Sequence, residues 1–145
     1  GSDTFITQGG GKCAAPEKRK ERMEYLLTIP GTLDNLNDYI AAERSNRYMG
    51  ARMKADNGRR VSLAVSRCLR GTRIERPVYM QYTWYEPNRR RDLDNISSFG
   101  RKVIQDSLVG AGVLKDDGWK QVTGFSYRFR VDKENPRIEV EIREV

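Results

Sequence analysis

Between Pro77 and Pro87 the chain reads Val-Tyr-Met-Gln-Tyr-Thr-Trp-Tyr-Glu, and this stretch restricts the fold more than any other. Val78, Met80, Tyr82 and Trp84 alternate with Tyr79, Gln81, Thr83 and Tyr85, the period of two that a β-strand imposes on its side chains. Both faces carry bulky groups, so the strand is expected inside a sheet with a neighbour on each side. After a polar connection, Ile96, Phe99, Val103, Ile104, Leu108 and Ala111 recur at spacings of three and four. That periodicity predicts an amphipathic helix over residues 95–111, some 25 Å long at about 1.5 Å per residue, with Gly110 and Gly112 suited to end it.

Weaker signals place the remaining elements around this pair. Residues 23–30 read as a strand closed by Pro30-Gly31, and Thr32 can cap a helix whose inner face holds Leu33, Leu36, Tyr39 and Ile40. A second helical stretch over residues 47–69 carries Asn57-Gly58 in its middle, where a kink or break is expected. Residues 121–131 and 137–143 read as strands joined by a polar turn ending in Pro136. The order β-α-α-β-α-β-β predicts an α+β fold, a small mixed sheet of about four strands packed with helices. Residues 1–22, rich in glycine and then in charge, are expected to form a flexible basic arm ahead of a single domain at 23–145.

Composition narrows the chemistry. Among 145 residues, 27 Lys and Arg oppose 20 Asp and Glu, and the net charge of +7 favours a polyanionic partner. No His is present, which excludes imidazole-bound zinc, Ser-His-Asp hydrolysis and histidine general bases. Cys13 and Cys68 lack metal or redox spacing, Cys68 reads as a small apolar residue of a helix, and in the reducing compartment expected for this chain no disulfide is anticipated. Without a leader-like or membrane-length apolar run, the expectation is a cytoplasmic protein with no membrane partner.

The candidate chemistry lies in Arg89-Arg90-Arg91-Asp92-Leu93-Asp94-Asn95. In extended backbone, residues two apart point to one side, so Asp92 and Asp94 are expected to aim at a common point while Leu93 faces the core. Asp94 or Asn95 can also cap the following helix. Two such carboxylates repel unless a cation relieves them, and all-oxygen ligation suits Mg²⁺, with Mn²⁺ as a substitute. Asp116 and Asp117 offer a third carboxylate, provided that the loop after the helix turns back; Asp-Asp-Gly is otherwise an ordinary turn. Arg89, Arg90 and Arg91 are placed to grip a polyanion beside the acids. Arg47 and Arg52 lie in a basic helical stretch whose outer face is either merely solvated or a further phosphate contact. Trp119 has two readings, a base-stacking residue or part of the core.

Taken together, Arg91-Asp92-Leu93-Asp94-Asn95, then Lys102, Asp106 and Leu108, then Gly112-Val113-Leu114-Lys115-Asp116-Asp117 resemble the RusA family of Holliday-junction resolvases known from phages and prophages. The resemblance implies a metal-dependent endodeoxyribonuclease that resolves four-way junctions by paired nicks in recombination and repair. It implies Asp92, Asp94 and Asp117 as metal ligands, with Asp116 the alternative, and a homodimer acting on branched DNA. A catalytic Lys is also implied, and Lys102 matches it by its spacing to Asp106. The family pattern places that Lys four residues after the second Asp, where this chain has Ser98. Arg101 is therefore a rival for the position and a further DNA contact. A flap or fork nuclease built on the same site, or a non-catalytic DNA-binding module, are the alternative readings.

Overall fold

The computed structural model describes residues 4–6 and 12–145, with side chains from Cys13 onward. Its strands are β1 (Thr4–Ile6), β2 (Lys12–Ala14), β3 (Glu17–Arg19), β4 (Arg22–Pro30), β5 (Val78–Glu86), β6 (Val122–Val131) and β7 (Arg137–Glu144). The helices are α1 (Leu36–Ser45) and α2 (Arg47–Cys68), between β4 and β5, and α3 (Leu93–Gly110), between β5 and β6. β1 and β2 form a separate antiparallel pair, and the main sheet runs β3-β4-β7-β5-β6. As the double-sided apolar pattern predicts, β5 is interior, antiparallel to β7 and parallel to β6. The α+β class and the order of the later elements match the sequence reading, with five strands in the sheet instead of about four.

Val78, Met80, Tyr82 and Trp84 join Leu27 and Ile29 of β4 and Ile138, Val140 and Ile142 of β7 in one buried layer. Val61, Ala64 and Val65 of α2 and Phe99, Val103, Ile104 and Leu108 of α3 complete that core. Helix α3 lies so close to the sheet that a Cβ on Gly100 would stand 2.9 Å from the Trp84 ring. That contact fixes the height of the helix, and with it the residues on its outer side.

Four local expectations are corrected. Helix α2 is unbroken through Asn57-Gly58, because the buried Asn57 side chain donates to Asp34 Oδ2 (2.7 Å) and to the Met53 carbonyl (2.8 Å) and accepts from the Asp34 amide. The cap of α1 is Asn35 and not Thr32, its side chain accepting from the Asp38 amide at 2.8 Å. Cys13 and Cys68 form a disulfide, since β2 packs where α2 ends and brings their Cα atoms to 5.2 Å. Part of the stretch expected as an arm belongs to the sheet: β3 pairs with β4 across a turn in which Lys20 takes a positive φ. There Arg19 bonds Glu24 at 3.1 Å, so the charges that read as solvation hold a hairpin. Residues 1–3 and 7–11 of that expected arm lie outside the described residues.

Candidate active site

Helix α3 begins at Leu93, two residues earlier than the periodicity predicts, and this changes the geometry of the acidic pair. Asp92 is the N-cap, its Oδ1 accepting from the Asn95 amide at 2.9 Å, and Asp94 stands in the first helical turn. The extended reading of Asp92-Leu93-Asp94 is thereby corrected. Leu93 does not face the core but is 55% exposed, because a residue in a first turn points by helical angle instead of by alternation. Both carboxylates sit at the positive end of the helix dipole. Asn95, the next motif residue, accepts from the Asn37 amide and ties α1 to the start of α3.

The three arginines have different fates. Arg91 turns inward: its guanidinium makes two 2.8 Å bonds to the buried Glu86 carboxylate and a third to the Leu33 carbonyl. A bidentate, half-shielded pair of this kind holds the backbone immediately before Asp92 and leaves Arg91 occupied. Arg91, expected from sequence as a DNA contact, is in this structure an anchor of that backbone. Arg89 and Arg90 are exposed and make no ion pair among the described residues, and Arg89 borders an open hollow of about 560 Å³ shared with Asp92, Leu93 and Phe129. Arg47 and Arg52 are likewise exposed on α2.

The second acidic segment lies at the other end of α3. Because β6 runs parallel to β5, the helix between them must carry the chain back to the start of the sheet, and the loop with Asp116 and Asp117 follows its far end. That loop turns back along the helix as far as Lys102, whose Nζ is 3.1 Å from Asp117 Oδ2 and 3.1 Å from Asp106 Oδ1. Hydrogen bonding to Asp117 and then to Asp106 raises the Lys102 pKa, so the ammonium persists at neutral pH. The same contact lowers the Asp117 pKa, with the Arg101 charge contributing less. Asp116 accepts from the Gly118 amide at 3.0 Å and shapes the turn.

Two buried polar residues that the sequence reading did not single out hold both segments. Glu86 fixes the Asp92 end through Arg91. Gln121, 4% exposed, accepts from the amides of Lys115 (2.6 Å) and Asp116 (3.0 Å) while its own amide donates to the Ile74 carbonyl. A Glu at the end of an apolar strand and a Gln at the start of another carry little signal, since only long-range contacts reveal their partners.

Arg101 occupies the ground between the two ends. Its guanidinium lies 4.4 Å from the centre of the Phe125 ring and reaches toward Gln105 and the Tyr127 hydroxyl. Burial raises the Tyr127 pKa, and the Arg101 guanidinium beside it opposes that rise.

As donors, Asp92 and Asp94 suit a hard divalent cation: both are exposed carboxylates outside any ion pair of the described residues. The arrangement does not unite three of them. Among the described residues no group of three or more His, Cys, Asp or Glu side chains is placed to hold one ion. Two turns of helix separate Asp94 from Lys102, and Asp117 is engaged at the level of Lys102.

An α+β domain with acidic segments at both ends of one helix and uncommitted arginines beside them is suited to a phosphate-bearing polymer. The family model described as Endodeoxyribonuclease RusA matches residues 15–143, nearly the whole chain. The chain belongs to the RusA endodeoxyribonuclease family, whose members cut DNA internally. No curated protein matches it. None of the helices among the described residues is long and apolar enough to cross a membrane.

Proposed function

We propose that the chain is a structure-selective endodeoxyribonuclease that resolves four-way DNA junctions by paired nicks in recombination and repair. The observation that carries this reading is the RusA match over residues 15–143 together with the placement of both acidic motif segments on the flanks of α3, each fixed by its own buried clamp. We assign Asp92, Asp94, Asp117 and Lys102 to the site, with Mg²⁺ or Mn²⁺ as the cofactor and Asp92 and Asp94 its primary holders. Bound there, the cation supplies charge neutralisation at the scissile phosphate.

The protein's own residues then have distinct tasks. Arg89 and Arg90, exposed and uncommitted, meet the phosphate backbone next to Asp92. Lys102 stays protonated and acts by charge, which suits it to stabilise developing negative charge and not to abstract a proton. Asp117 is kept ionised by Lys102. A junction presents two symmetry-related strands, which a twofold homodimer would engage with two sites. We assign the nuclease unit to the family-matched span, residues 15–143, working on DNA in the cytoplasm.

The test is Asp94→Asn, compared with the unaltered protein on a four-way junction, fork, flap and linear duplex. The substitution is expected to retain junction binding and to lose divalent-cation-dependent cutting by at least 100-fold. Cutting at the unaltered rate would overturn the site assignment. Preference for flap or fork over junction would replace the substrate.

A further inference from the structure

Trp119 is 95% exposed, more than any other large hydrophobic side chain among the described residues. Its position is not that of a loose loop tip. The amides of Gln121 and Val122 both donate to the Gly118 carbonyl, at 3.1 and 2.9 Å, and buried Gln121 pins the preceding residues. The backbone around Trp119 is thus held while its ring is left in water. Core packing, one of the two readings open from sequence, is ruled out by this exposure.

The ring borders a hollow of about 460 Å³ that also holds Asp117, Arg101, Gln105 and Phe125. Phe125 is itself 42% exposed, with the Arg101 guanidinium lying over it. Two accessible aromatic rings, a guanidinium and the flanking Lys120 therefore surround the loop that carries Asp117. Nucleic-acid bases stack on such surfaces by their π-faces, whatever their sequence. An intact duplex offers none, since its bases are stacked on each other; a branch point or single strand does.

We infer that Trp119, with Phe125 and Arg101 beside it, forms a stacking platform for an unstacked base of branched DNA. Residue 119 then selects structure over sequence by rewarding DNA whose stack is already interrupted. This inference rests on the proposed endonuclease reading and adds to it the feature of the substrate that is recognised.

Fluorescence tests it directly, because Trp84 is 1% exposed and shielded from solvent while Trp119 is open. The full chain is titrated, without divalent cations, with a four-way junction carrying 2-aminopurine at the branch and with a linear duplex carrying it centrally. Binding is followed in parallel by anisotropy of a distant label. The junction is expected to quench the solvent-exposed tryptophan emission and to change 2-aminopurine emission, and the duplex to do neither. Trp119→Ala is expected to weaken junction binding by about 5- to 150-fold, the range that stacking on one aromatic ring supplies, with duplex binding changed by less than about 2-fold. Trp119→Phe, which keeps a ring, is expected to recover most of the loss. Junction binding with unchanged tryptophan emission, or Trp119→Ala binding the junction as tightly as the unaltered chain, overturns the platform and leaves the endonuclease reading intact. Emission that shifts with protein concentration alone would assign the ring to a contact between two copies of the chain and overturn the platform too. Failure to bind any branched DNA would overturn both readings.

Discussion

Truncating Glu86 tests how the Asp92 end of the site is held. Glu86 and Arg91 share two 2.8 Å hydrogen bonds, with side-chain exposures of 8% and 21%, and Arg91 also reaches the Leu33 carbonyl at 2.8 Å. Removing one partner of a buried ion pair costs about 3–5 kcal/mol, because the survivor keeps its charge without its counter-ion. Arg91 retains some solvent and one carbonyl partner, so Glu86→Ala is expected near the lower bound, at about 3 kcal/mol. For a chain of this length that corresponds to a fall in melting temperature of roughly 6–12 °C. The protein should remain folded, since domains have about 5–15 kcal/mol in hand. Replacing both partners, Glu86→Leu with Arg91→Met, removes the stranded charge and should recover most of the loss. Urea denaturation of Glu86→Leu, Arg91→Met and their double variant gives the coupling energy, and nuclease assays on the same samples report on Asp92. A single-variant cost below about 1 kcal/mol, or costs that simply add, would refute the clamp.

Two further predictions concern the other end of α3 and the chain's entry to the sheet. Lys102→Ala should return the Asp117 carboxyl toward its ordinary value, an upward shift visible by carboxyl ¹³C NMR; because the pair lowers Asp117 in the folded state, its small stabilisation is present above the unfolded pKa and lost as pH falls through the folded one. An unmoved Asp117 titration would show that Lys102 is not its partner in solution. Reduction of Cys13–Cys68, which spans 55 residues, should cost up to about 4 kcal/mol by loop-closure entropy, and equal urea midpoints with and without dithiothreitol would contradict that.

The sheet and its interior strand were legible because β5 carries four apolar groups on one face and four further side chains, two of them tyrosines, on the other. Helix α3 was legible from its apolar spacing, but its first turn was not, since Asp92, Leu93 and Asp94 satisfy either a strand-like alternation or a capped helix start. Only the Asp92 bond to the Asn95 amide decides between them. Asn57 misled for a similar reason: as a local signal it weakens a helix, and its three hydrogen bonds come from a residue 23 positions away and one turn back. Arg91 and its neighbours Arg89 and Arg90 are alike in sequence, and a buried acid five residues upstream separates their roles. The Cys13–Cys68 bond depends on where β2 docks, which spacing alone does not encode.

The parallel register of β5 and β6 makes α3 a spacer of set length. Its two termini stand about 27 Å apart at 1.5 Å per residue, each anchored to a different strand end. Two side chains four residues apart on such a rod stand about 6 Å apart along its axis and about 40° apart around it, with both strands unchanged. A basic side chain borne one turn further along α3 therefore stands over a different part of the surface while the sheet stays the same.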